Sequence, residues 1–287
     1  LVSKEFISPP VLNELEIGIG FVSDDAYKFG RYNGMQSEGA FLVGDFKARY
    51  YEEDGRFWRL RGTNLGLESR YLRVEGGLQG KHKFFLEYDE LPNYKNDTVN
   101  SPFTGIGSKT LTLPPDFDIT DMSDDLKNFN LKTKRERIKV GALFVPKQRW
   151  KFGIDFSNEN KTGVDAVGGA IANSPRKQII GFTTTSLIPE PIDQDTNLVD
   201  ARLSYSGKEG QINFKYHASI LKNNYDSLSW DNPFPLPVDS RSGIVASGPL
   251  PAAGSMSLAP DNEFHQLSLT GGYNLPYRSR FTGFLAM

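Results

Sequence analysis

The chain has 287 residues, with 33 basic against 35 acidic groups and no cysteine. Near-balanced charge offers no basic stripe for nucleic acid. The missing thiols exclude disulfides, thiolate metal sites and any covalent Cys-x-x-Cys-His haem attachment in this chain. No apolar run reaches the length of about 18 residues that a membrane helix needs, but a β-barrel carries its span in alternation and stays compatible with low hydropathy.

In chain order, residues 1–13 are polar, contain Pro9-Pro10 and read as an extended lead-in. Strand patterns of period 2 follow at 14–22, about 40–51, 56–65, 70–79 and 83–89. Leu15, Ile17, Ile19 and Phe21 stand opposite Glu16, Gly18 and Gly20; Trp58 and Leu60 oppose Arg59 and Arg61; Phe84, Leu86 and Tyr88 oppose Lys83, Glu87 and Asp89. Residues 91–134 read as one long loop, of a kind that suits the extracellular side of an outer-membrane barrel better than a compact soluble domain.

The clearest signal lies between Arg135 and Asn158. Ile138, Val140, Ala142 and Phe144 alternate with Arg137, Lys139 and Gly141; after the turn at 146–149, Trp150, Phe152, Ile154 and Phe156 alternate with Lys151, Gly153, Asp155 and Ser157. Two strands of this length joined by a tight polar turn match the span of a tilted transmembrane strand, about ten residues. Residues 164–172 are expected to form a weak separate strand, followed by strands near 178–188, 197–206 and 211–221, a second long loop at 222–262, and two closing strands from 263.

An internal repeat supports this order. Phe84–Tyr88, Asn100-Ser101-Pro102-Phe103 and Val145-Pro146 recur as Ile212–Tyr216, Trp230-Asp231-Asn232-Pro233-Phe234 and Leu275-Pro276, and the Gly80-Lys81 turn recurs as Gly207-Lys208. The tight turns then fall on one side and the long loops on the other, provided 164–172 counts as a strand. The fold expected is all-β: a transmembrane antiparallel up-and-down barrel, of which residues 14–287 supply about 13 strands. The last residues stop within an alternating pattern, as in a piece cut inside its fold.

Three features favour a membrane barrel over a soluble sandwich. The polar face is densely charged: Lys47, Arg49, Arg59, Arg61, Arg73, Glu75, Lys83, Glu87, Arg137, Lys139, Lys151 and Asp155, with His217 on the same side. These are the expected lumen-facing residues, and substitution there, at Gly141 or Lys139 for example, is expected to be tolerated. The opposite face is bulky and uniformly apolar. Aromatics crowd the tight-turn ends (Tyr50, Tyr51, Phe57, Trp58, Phe144, Trp150 and Phe281), in the manner of an interfacial girdle.

The run Glu16-Ile17-Gly18-Ile19-Gly20-Phe21-Val22-Ser23-Asp24-Asp25, with Tyr27-Lys28-Phe29-Gly30-Arg31-Tyr32-Asn33-Gly34, resembles the opening of the MtrB/PioB family. Glu90 to Thr98, and Leu258-Ala259-Pro260-Asp261-Asn262 through His265-Gln266 to Leu275-Pro276, fit the same family. The resemblance spans roughly 14–287. It implies an outer-membrane barrel of a Gram-negative bacterium, of about 26 strands, that sheathes and insulates a decahaem c-type cytochrome. That cytochrome would sit on the periplasmic and lumenal side, and an extracellular multihaem cytochrome would be held at the other mouth. Electrons would pass through the cytochromes, so the haem belongs to the partner and this chain binds no cofactor. Some members carry a Cys-x-x-Cys near the N-terminus; this chain does not. The alternative is a general outer-membrane diffusion porin.

Other chemistry is poorly supported. The three histidines, His82, His217 and His265, lack the accompanying Ser/Asp pattern of a hydrolase. Asp116, Asp118, Asp121, Asp124 and Asp125 lack the glycine and terminal glutamate of an EF-hand, so a solvated loop with a short helix is the better reading. Gly18-x-Gly20 lies inside a strand and opens no helix, against a dinucleotide site. No catalytic or metal-binding residue is expected. In the second long loop, Trp230, Asn232 and Phe234 either dock the outer cytochrome or pack the loop.

Overall fold

The structure is a computed structural model describing residues 13–118, 121, 124–147, 149–172, 184–233 and 252–287; the expected lead-in therefore lies almost wholly outside the described residues. The strands are β1 (Glu14–Val22), β2 (Gly39–Tyr51), β3 (Arg56–Leu65), β4 (Tyr71–Leu78), β5 (His82–Ser101), β6 (Thr110–Leu111), β7 (Lys127–Lys147), β8 (Trp150–Ala172), β9 (Thr184–Ser206), β10 (Gly210–Asn223), β11 (Ser227–Asp231), β12 (Ala253–Ser257), β13 (Asn262–Leu275) and β14 (Ser279–Ala286). Eleven of them form one sheet in the order β1-β2-β3-β4-β5-β7-β8-β9-β10-β13-β14, and β12-β11-β6 form a second, three-stranded sheet. Every neighbouring pair of the large sheet is antiparallel. The tight turns β2–β3, β4–β5, β7–β8, β9–β10 and β13–β14 share one end, as expected.

The strand count differs from the expected 13 because two long strands had each read as two. The segment 164–172 is the upper half of β8, which runs unbroken for 23 residues, and β9 matches it with 23. Removing two strands preserves the alternation of turns and loops. The first long loop also shrinks, since β5 extends to Ser101 and β7 begins at Lys127.

Prolines explain the misreading. Glu90 and Tyr94 donate their backbone N–H groups away from β7, to Arg70 O and Arg31 O. Pro92 has the same parity, so its missing donor faces the side where β4 has already ended, opposite Asp89. Pro189 and Pro191 likewise stand above Gln194, the last residue of β9 paired with β10. A proline at a free edge removes no ladder bond and blunts that edge against pairing.

The two faces separate cleanly in register. On one, the row Leu86–Val140–Phe156–Val199 crosses four strands, and the row Trp150–Tyr205–Ile212 lies near the tight turns. These side chains are substantially exposed, with Val140 at 41% and Ile154 at 42%. A continuous exposed apolar face of this extent needs a cover. The band stops abruptly one row above Phe156 and Val199, where Asn158 donates to Asn197 at 3.0 Å and Asn160 to Asp195 at 3.1 Å. Of the expected girdle, Tyr50, Trp58, Phe144, Trp150 and Phe281 share the apolar face, but Tyr51 and Phe57 do not. They are register partners of opposite parity, stacked on the polar face at 6.3 Å.

Candidate functional site

The polar face is built from cross-strand rows of charge. One reads Glu14–Lys47–Arg61–Arg73–Glu87–Lys139, the next Arg49–Arg59–Glu75–Phe85–Gly141–Asp155–Asp200–His217. The register thus brings to one face every charged residue expected there, with Lys83, Arg137 and Lys151 following by even spacing along their strands.

Ion pairs tie neighbouring strands. Arg73 bonds Glu75 on its own strand at 2.9 Å and Glu87 across on β5 at 2.5 Å, and Arg59 on β3 reaches Glu75 at 3.1 Å. Arg137 bonds Asp89 at 2.7 Å, Arg202 bonds Asp155 at 2.6 Å, and His217 bonds Asp200 at 2.9 Å. Glu75 and Asp155 are buried beneath their partners. Phe85 fills the floor between them, with the Arg73 guanidinium 4.3 Å from its ring centre. Phe85 is not legible in the sequence as a polar-face residue because it sits between Phe84 and Leu86, whose apolar parity masks its own. Gly141, expected to be an open position, lies beneath Phe85 and Asp155 instead.

Above the apolar band the chain builds two further layers. On the apolar side, residues 23–38 fold against the extensions of β5 and β7. Tyr27 packs edge-on against Tyr94 at 5.1 Å, and Tyr94 donates to Glu68 at 2.7 Å, with Lys132 bonded to both. Burial, and then the bond to Glu68, push the Tyr94 phenol far above its usual range.

On the polar side lies the cap. Val167 and Ile188 are register partners on the same parity as Asp155 and Asp200. Ile188 packs with Phe103, Leu111, Leu228, Trp230 and Leu258, the hydrophobic cluster of the described residues. The small sheet holds it, with β6 parallel to β11, and Leu113 N donates to the Asp231 carboxylate at 2.9 Å. The loop segments that recur in the internal repeat therefore meet, Phe103 from one unit and Trp230 from the other. Trp230 is 5% exposed and packs inside the cap, the packing alternative of the two expected for it. Asn232 closes the cap edge through its backbone bond to Ala252 O at 2.8 Å. Phe234 lies outside the described residues. The expected helix among Asp116–Asp125 falls partly outside them too; where described, that stretch forms turns.

Comparison with known proteins places this architecture. The chain is 27% identical over 265 residues to "Outer membrane protein MtrB" of Shewanella baltica (strain OS185), covering 90% of this chain and 35% of that protein. It therefore spans about a third of the length of that relative. A solved structure of OmpT, an outer membrane protein of Vibrio cholerae, aligns with 96% of this chain and 65% of its own, at a TM-score of 0.39 and 8% identity. The profile of a family described as outer membrane beta-barrel porin, MtrB/PioB, matches residues 21–287. The chain belongs to the MtrB/PioB family of outer-membrane β-barrel proteins.

Proposed function

We propose that this chain forms part of a barrel wall that holds and insulates a multihaem c-type cytochrome, so that electrons cross the outer membrane through the cytochrome. The supporting observation is the polar face. Many of its charges are held in ion pairs across the sheet, with aromatic rings between them and a folded cap on the same side above the bilayer. A fixed lattice of donors and acceptors suits a polar protein surface, where complementary charge sets register and partner choice. This chain contributes no redox centre in this reading: without cysteine, and with three histidines, it does not supply the ligands of a haem chain. The haem belongs to the partner, with a second multihaem cytochrome at the extracellular mouth.

The second reading is a diffusion porin, favoured by the family's own description. Mild extraction of the full-length protein from outer membranes tests between them. The sheath reading expects haem-stained protein to copurify in fixed stoichiometry. A haem-free preparation with large ion conductance would favour the porin.

A further inference from the structure

The charge rows of the polar face are not evenly balanced. Lys47, Arg61 and Arg73 are consecutive register partners on β2, β3 and β4, and Arg49 stands directly opposite Arg59 one row nearer the tight turns. Like charges in directly opposed positions destabilise a sheet. Local carboxylates answer them only in part. Glu75 is shared by Arg59 at 3.1 Å, Arg73 at 2.9 Å and Lys83 at 3.6 Å, with Glu87 as a second partner for Arg73 at 2.5 Å. Lys47 turns to Glu14 at 2.8 Å.

Arg49 and Arg61 make no salt bridge among the described residues, Arg49 acting on Glu14 only at longer range, and both residues are exposed on the polar face. Together these cations and Glu75 line a recess of about 240 Å³. Its floor is stiff: Arg59 donates to Tyr51 Oη at 2.9 Å and lies 5.0 Å from the Phe57 ring centre. Elsewhere on this face several cations find a carboxylate, as Arg137 does with Asp89 and Arg202 with Asp155, although like charges also face each other at Asp155–Asp200 and Arg202–Lys215. Two guanidinium forks without a salt bridge, that of Arg61 lying 5.9 Å from the Tyr71 ring centre, beside a recess are suited to carboxylate groups presented from outside the sheet.

We infer that the Arg49–Arg61 recess is a docking seat for an acidic segment of the protein that fills the barrel. This deepens the sheath reading and rests on it. The seat lies in the tight-turn half of the polar face, so it grips the partner near the periplasmic mouth. The repulsion among Lys47, Arg61 and Arg73 is tolerated in the wall because the partner's carboxylates relieve it in the complex.

The test uses the full-length protein with its copurifying cytochrome, comparing wild type with Arg49→Gln/Arg61→Gln. Neither substitution removes an ion pair within the wall, so the heat-modifiable barrel should form as well as wild type or better. Cytochrome retention should fall on the order of tenfold, and its dependence on added salt should flatten. Retention and salt slope equal to wild type would overturn the seat while leaving the sheath reading intact. A wild-type barrel that brings down no cytochrome would remove both. If the double variant keeps its cytochrome and changes only the anion selectivity of the cytochrome-free barrel in planar bilayers, the recess takes small ions and the proposal is again overturned.

Discussion

Asp155 and Gly141 are register partners that share one space: the Asp155 Oδ1 oxygen stands 2.1 Å from where a Cβ on Gly141 would lie, and the Phe85 ring 2.5 Å from it. Asp155 is itself pinned by Arg202 at 2.6 Å. Gly141→Ala should therefore cost about 1–3 kcal/mol through overpacking, despite lying on the polar face. Urea titration of the assembled barrel measures it, and wild-type stability in the variant would show that the ring and carboxylate simply move aside.

The lipid-facing assignment makes an opposite pair of expectations. Arg at Val140 or Ile154, on the exposed apolar rows, should cost about 2–4 kcal/mol if they lie near the bilayer midplane. Lys139→Ala, on the polar face between them, should cost far less. Equal assembly defects on both faces in outer membranes would refute the separation of faces.

Cap and wall should fail independently. Trp230→Ala removes the largest side chain of the buried cap cluster and should cost that unit about 3–5 kcal/mol. Proteolysis should then open chain segments around Thr110 and Ser227, while the heat-modifiable migration of the barrel persists. Loss of both together would mean that the cap is part of the wall's own folding unit.

The ribbon beneath the cap carries a pH signature. Asp165 and Glu190 are directly opposed across β8 and β9. Burial, and then the Asp165 charge, raise the Glu190 carboxyl above its ordinary value. The folded ribbon thus holds that proton more tightly than the unfolded chain, and stability falls as pH rises from the ordinary glutamate value through the raised one. Asp165 acts in the opposite sense: burial works against its ionisation, but the Lys95 hydrogen bond and the Ala166 amide hold it below its usual range. Its contribution is present above the ordinary aspartate value and disappears as pH falls through the lowered one. Glu190→Gln should stabilise the ribbon at neutral pH by a few tenths of a kcal/mol, since partial exposure screens the repulsion. Limited proteolysis at pH 7 and pH 5 should show the larger gain at the higher pH; a variant cut faster than wild type at pH 7 would refute it.

What was legible in the sequence followed the bilayer. Wherever apolar side chains alternate against charge, as from Ile138 to Phe156, strands, faces and turn side emerge directly, because lipid demands that pattern. Above the band no such demand exists. There β5, β7, β8 and β9 continue as polar ribbons whose prolines read as breaks, although their shared parity with the outward-donating Glu90 and Tyr94 was a usable sign of free edges. The cap was harder still, since Phe103, Leu111, Ile188, Leu228 and Leu258 are scattered along the chain with no period to link them. Only the recurrence of Pro102-Phe103 at Pro233-Phe234 hinted that two loops were related. Charges on the polar face were legible one strand at a time; that three cations fall in one row needed the register.

Proteoliposomes test the central claim most directly. Vesicles enclosing a reducible dye and carrying the full-length barrel with its cytochrome should bleach when a membrane-impermeant reductant is added outside, and vesicles carrying the barrel alone should not. Large ion conductance from the barrel alone, with no added electron flux when the cytochrome is supplied, would contradict the sheath and leave a porin.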